Sequence, residues 1–133
     1  FMDSIIFPRT GEIPLEFTGE IISTETTDTL GKKKCSRYHK LRLARTAGGS
    51  FVEAIGYRAT YDGDYDYDWA KVGTAEEIAA WIKAFDPLCV LLGFPAGKQF
   101  EEKQKRLELD IRLRFATAAT RLLGELNIVE HIE

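Results

Sequence analysis

The sequence predicts an α+β domain, a four-stranded antiparallel β-meander followed by two or three helices packed on one face. Three observations carry that expectation. Residues 13–72 alternate apolar and polar side chains with a period of two, as strands do. Residues 74–126 space their apolar side chains three and four apart, as helices do. Short glycine-bearing turns separate the segments of the first half, which suits hairpins rather than crossovers.

The first expected strand is Leu15–Thr26, with Leu15, Phe17, Gly19 and Ile21 on one face and Glu16, Thr18 and Glu20 on the other. A loop at 27–31 follows. The second strand is Arg37–Thr46, where His39, Leu41 and Leu43 oppose Tyr38, Lys40 and Arg42. Ala47, Gly48, Gly49 and Ser50 then mark a hairpin, because glycine accepts positive φ without strain. The third strand covers 51–61, with Phe51, Ile55, Tyr57 and Tyr61 alternating against Val52, Ala54 and Arg58. Asp62 and Gly63 turn the chain into a fourth strand over 64–72.

Helices begin after Thr74. Thr74 and Glu77 have the spacing of a capping box, and Ile78, Trp81, Ile82 and Phe85 form one stripe. Asp86 and Pro87 stop that helix, and a short helix or turn covers 88–94. Residues 98–126 hold no glycine or proline before Gly124. Leu107, Leu109, Ile111, Leu113 and Phe115 alternate there as a strand would, yet Leu107, Ile111, Phe115, Ala118, Leu122 and Leu126 also fit a helix. Length and helix propensity decide for helix. Leu109, Leu113 and Leu123 widen its apolar face, which points to burial by a second copy and a homo-oligomer.

The 133 residues suit a single domain, 1–133. Such a chain buries roughly two-thirds of the surface it exposes when unfolded, so it needs no staple to fold. Apolar residues at 44% against 29% charged exclude disorder throughout. A formal net charge of −3 argues against a strongly basic binder and leaves only local patches. Cys35 and Cys89 make no disulfide framework, and a reducing, cytoplasmic setting is expected. The longest apolar run, 87–94, falls short of the roughly 18 residues that cross a bilayer. No membrane contact and no secretory leader are expected, and Met2 reads as the natural start.

The stretch GDYDYDWAKV, 63–72, is the most unusual. Asp62, Asp64, Asp66 and Asp68 do not make a calcium loop, which needs glycine at position 6 and a carboxylate at 12. Counted from Asp62 those positions hold Tyr67 and Gly73, and from Asp64 they hold Trp69 and Ala75. As a strand, the stretch puts Tyr65, Tyr67 and Trp69 on one face and Asp64, Asp66 and Asp68 on the other. The carboxylates then need a cationic counterpart. Seven basic residues and no acidic one lie between Lys32 and Arg45. Lys40 and Arg42 are the expected cross-strand partners of acidic side chains.

Specific chemistry is scarce. Cys35, His39, Cys89 and His131 are the candidate zinc ligands, but no CxxC spacing is present, and no metal or other cofactor is expected. Cys35 beside Lys34 and Arg37 has the setting of an activated thiol, but the sequence does not show a histidine and an acid arranged around it. Four aspartates are few for phosphate mimicry. Glu101, Glu102, Glu108 and Asp110 read as a solvated helix face among Lys103, Lys105 and Arg106. No phosphate loop, dinucleotide fingerprint or nucleophile elbow occurs, so no catalytic residue is assigned. The expectation is a non-catalytic protein-binding or assembly module that engages a protein partner, or itself, through Asp64, Tyr65, Asp66, Tyr67, Asp68 and Trp69. The alternative is a nucleic-acid-binding accessory using Lys32, Lys33, Lys34, Arg37, Tyr38, Lys40 and Arg42.

Overall fold

A computed structural model of the chain describes residues 2–28, 37–59, 65–90 and 97–130, the last four as backbone only. It has the α+β architecture, with an antiparallel sheet of five strands in the order β1-β2-β3-β4-β5. These are β1 (Asp3–Phe7), β2 (Leu15–Thr26), β3 (Arg37–Thr46), β4 (Phe51–Ala59) and β5 (Tyr67–Gly73). Two α-helices follow, α1 (Ala75–Ala84) and α2 (Glu101–Glu130), the second entered through a 3₁₀ turn at Lys98–Phe100.

The expected count of four strands is corrected to five. The added strand, β1, is five residues long, too short to display a period. It pairs with β2 from Asp3 opposite Gly19 to Phe7 opposite Leu15. The fourth predicted strand, β5, is also shorter than expected. β4 ends at Ala59, with 60–61 outside the described residues, and β5 starts at Tyr67 rather than at Asp64.

The sheet curls until the loop after β1 meets the head of β5. The Thr10 amide donates to the Asp68 carbonyl at 2.9 Å. The Asp68 amide donates to Thr10 Oγ1 at 2.8 Å. Inside the curl, Phe7, Ala44, Val52 and Ala54 form a small core with Ile5, Leu15, Phe17 and Ala70. Alanines on the central strands leave room for the edge-to-face rings of Phe7 and Phe17, 5.3 Å apart. The opposite face carries the main core. There Leu41, Leu43, Phe51 and Ile55 meet Ala75, Ile78 and Ile82 of α1 and Phe115, Ala118, Leu122 and Leu126 of α2. β4 is therefore buried on both faces, and residues 51–57 are all buried.

A register shift between Ile21 and Ser23 resets the alternation of β2. Upstream of it Leu15 and Phe17 line the curl. Downstream Glu25 faces α2, where Arg121 approaches it at 3.5 Å. Gly19 sits where β2 crosses β3 closely, since a Cβ there would stand 2.3 Å from the Arg45 carbonyl oxygen. Gly49 closes the β3–β4 hairpin with φ of 92°, a region that favours glycine. The turn is fastened by the Thr46 amide on the Ser50 carbonyl at 2.8 Å.

The capping box of α1 forms as expected. Thr74 Oγ1 accepts from the Glu77 amide, and Glu77 accepts from the Thr74 amide. The Thr74 backbone and hydroxyl bonds hold the Glu77 carboxyl below its ordinary value. Ile78 and Ile82 are buried, while Trp81 and Phe85 pack against the core part-exposed. The ambiguous stretch of α2 is helical. Ile111 and Phe115 are buried, whereas Leu109 and Leu113 remain 57% and 59% exposed. No helix among the described residues is long and apolar enough to cross a membrane.

Candidate functional site: an aromatic cleft at the head of β5

The tyrosine and tryptophan residues of 65–69 converge on a cleft. Tyr65, Asp66, Tyr67 and Trp69 line it with Thr10 from the loop after β1 and with Cys89 and Val90 from the turn after α1. Its volume is about 590 Å³. The position follows from the curl, because the Thr10–Asp68 clasp brings the loop after β1 to the first residues of β5.

The wall of the cleft is held from behind. The Tyr67 and Trp69 rings lie 4.8 Å apart at an interplanar angle of 35°. Phe85 meets Trp69 edge-on at 4.8 Å and stacks on Phe115 at 5.3 Å. His39 closes this chain of rings, 5.2 Å from Phe115 and 5.1 Å from Tyr57. Each contact of this kind contributes about 0.5–1.5 kcal/mol beyond its buried area and fixes ring orientation. Trp69 is thus anchored in the core while Tyr65, at 75% exposure, stands in solvent.

The two described aspartates of the stretch differ in what they meet. Asp68 Oδ1 accepts from Arg58 at 2.9 Å in a partly buried ion pair. Gly56 leaves the space for that pair, since a Cβ there would lie 3.1 Å from Asp68 Oδ1. Asp66 Oδ1 accepts from the Ala59 amide at 3.2 Å, and no cation pairs with it among the described residues. The expected cross-strand cations were Lys40 and Arg42. The register corrects this, because Lys40 lies between Thr26 and Gly56, and Arg42 between Thr24 and Ala54. Arg58 is the cation that answers Asp68. Its place follows from the β4–β5 register, which the isolated stretch does not reveal. Asp64 lies outside the described residues.

The basic segment is dispersed in its described part. Lys32, Lys33, Lys34 and Cys35 lie outside the described residues. Arg37 and Tyr38 are half-buried at the start of β3, and Lys40 is exposed. The Arg42 guanidinium lies 4.8 Å over the Phe7 ring, and that of Arg45 5.5 Å over Phe51. Of the candidate zinc ligands, His131 also lies outside the described residues, His39 is buried, and Cys89 is exposed. Burial, and then the charge of Asp86, push the Cys89 thiol up. Among the described residues no three histidine, cysteine or carboxylate side chains gather as metal ligands would.

Two titratable side chains are buried: His39, expected on the inward face of its strand with Leu41 and Leu43, and Glu53, which escaped the sequence reading. His39 is 1% exposed, and burial lowers its pKa from 6.5 to about 4, against a raising influence from the Pro87 backbone. Glu53 is fully buried, registered between Leu43 and Lys71. Burial pushes its carboxyl well up, and the Arg42 charge and backbone offset only part of this. Among the described residues neither carboxyl oxygen, nor His39 Nε2, has a hydrogen-bond partner of proper geometry. The signal for Glu53 was its place between Phe51 and Ile55 on the inward-facing period of β4. The chain matches no protein-family model, and comparisons with curated proteins and with solved structures return no similar chain.

Proposed function

We propose that the protein is a non-catalytic binding module that receives an extended segment of a protein partner along the outer edge of β5, beside the aromatic cleft. The observation that carries this reading is the direction of the β5 edge. Both backbone groups of Asp68 point away from β4, since they bond to Thr10. By the period of the strand, those of Ala70 and Val72 point the same way. No partner bonds them among the described residues. Val72 is also 50% exposed, so the side chain next to this open edge offers apolar contact. Strand addition at such an edge draws affinity from the backbone and specificity from neighbouring pockets. The cleft supplies such a pocket, with the aromatic composition that interfaces favour.

A catalytic reading has less support, because the thiol at the cleft is held in its protonated form and His39 is walled off by rings. The nucleic-acid alternative loses support where Arg42 and Arg45 stack on phenylalanines.

The test is a displayed library of extended peptides panned on the full chain, with each binder followed by amide hydrogen exchange. The expected result is added protection at Ala70 and Val72. Val72→Pro should weaken binding by about tenfold, consistent with loss of one edge hydrogen bond and its packing, with the thermal midpoint retained. Binders that leave both amides unprotected and ignore Val72→Pro would overturn the reading.

A further inference from the structure

We infer that the aromatic cleft seats an arginine side chain of the partner segment, with its guanidinium against Tyr67 and Trp69 and paired to Asp66. This rests on the reading that β5 is the receiving edge and names the chemistry it selects. Four observations converge on it. Among the described residues the lining is three aromatic residues and Asp66, with Thr10, Cys89 and Val90, and none of these is basic. The Tyr67 and Trp69 rings lean on one another at 4.8 Å with an inclination of only 35°, so the pair offers a planar cation the outer face of a stack, an electron-rich wall one ring wide. The neighbouring carboxylate of Asp68 is already matched by Arg58, whereas no cation among the described residues pairs with Asp66 at the cleft. Phe85, stacked on Phe115, holds the Trp69 edge, so the wall is ordered before a ligand arrives.

Charge complementarity selects the occupant. An apolar side chain would cover the rings but leave Asp66 facing an uncharged group. A carboxylate would be repelled by Asp66. A lysine ammonium would satisfy the charge as a point, without the planar stacking and forked hydrogen bonding that a guanidinium offers. The clasp of Thr10 on Asp68 places the cleft at one end of the open edge. The arginine therefore sits at the end of the added segment that lies beside Asp68, with the rest running past Ala70 and Val72.

The experiment titrates the isotope-labelled full chain with three blocked peptides, alternating valine and threonine around a single arginine, lysine or citrulline. Citrulline keeps the shape of arginine and removes its charge. The arginine peptide is expected to move the Trp69 indole N–H and the Ala59 amide saturably. The citrulline peptide should bind at least about fivefold more weakly, the scale of one cation–π contact with a charged hydrogen bond. Asp66→Asn should remove that preference, and Tyr65→Ala, at a solvent-exposed ring, should weaken all three peptides equally. Equal binding of arginine and citrulline peptides, with Ala70 and Val72 still shifting, overturns the arginine pocket and leaves the β5 edge standing. Shifts at Trp69 and Ala59 without any at Ala70 and Val72 overturn the edge and retain the pocket. No saturable shift with any peptide overturns the arginine pocket.

Discussion

His39 and Glu53 should tilt the stability of this protein in opposite directions with pH. His39 resists protonation when folded, down to about pH 4, but takes a proton near pH 6.5 when unfolded. Acidification across that window therefore favours the unfolded chain, by about 1.4 kcal/mol per pH unit and about 3 kcal/mol in all. Glu53 acts with the reverse sign. Its folded carboxyl keeps its proton well above the ordinary 4.5, while the unfolded one releases it there. Stability then falls as pH rises from 4.5, by up to about 1.4 kcal/mol per pH unit, until the folded carboxyl ionises.

Above pH 4.5 the two slopes oppose until the folded Glu53 carboxyl ionises, so the wild-type curve should be flatter there than that of either variant. Glu53→Gln removes one slope, so stability of that variant should climb by about 2 kcal/mol between pH 4.5 and 6.5. His39→Phe removes the other, and its stability should fall over the same interval. The assay is urea unfolding followed by Trp69 and Trp81 fluorescence at constant ionic strength, in half-unit steps of pH. Variant-minus-wild-type difference curves that are flat, or that share a sign, would refute the argument that both groups are neutral in the folded interior.

Four further outcomes are expected. Gly19→Ala drives a methyl into the Arg45 carbonyl and should cost about 1–3 kcal/mol or more, read by calorimetry, whereas an unchanged midpoint would contradict the close crossing of β2 and β3. Thr74→Ala removes the hydroxyl half of the capping box and should cost about 1 kcal/mol, with a matching loss of α1 amide protection in hydrogen exchange. Cys89 should alkylate more slowly than a free thiol at pH 7.5 and speed up toward alkaline pH, measured by mass spectrometry with iodoacetamide. Leu113→Lys, on an exposed stripe of α2, should change unfolding stability by no more than about 0.5 kcal/mol. A loss of several kcal/mol that depends on protein concentration would instead mean that a second copy covers Leu109 and Leu113.

Local periodicity carried much of this fold. The spacing of Ile78 and Ile82, the box of Thr74 and Glu77 and the stop at Asp86 and Pro87 are short-range rules, and each reappears in α1. The alternation of His39, Leu41 and Leu43 held for the same reason, as did the split between Trp69 and Asp68. β1 was missed because five residues carry no measurable period. Its pairing depends on the curl that buries Phe7. The composition of the candidate cleft was legible, since Tyr65, Asp66, Tyr67 and Trp69 line it, whereas Asp68 turns to Arg58. The geometry of the cleft was not, because Thr10 and Cys89 join it from distant parts of the chain.

The amino-acid order by itself determined which segments pleat and which coil, because those choices rest on neighbours two to four residues apart. It also determined that the head of β5 would be aromatic and acidic. Only the tertiary structure decided that β4 is buried on both faces, that Arg58 answers Asp68, and that His39 and Glu53 are sealed from water. Those outcomes depend on strand register and on the clasp between Thr10 and Asp68, contacts between residues far apart in sequence. Alternation within one segment does not encode them.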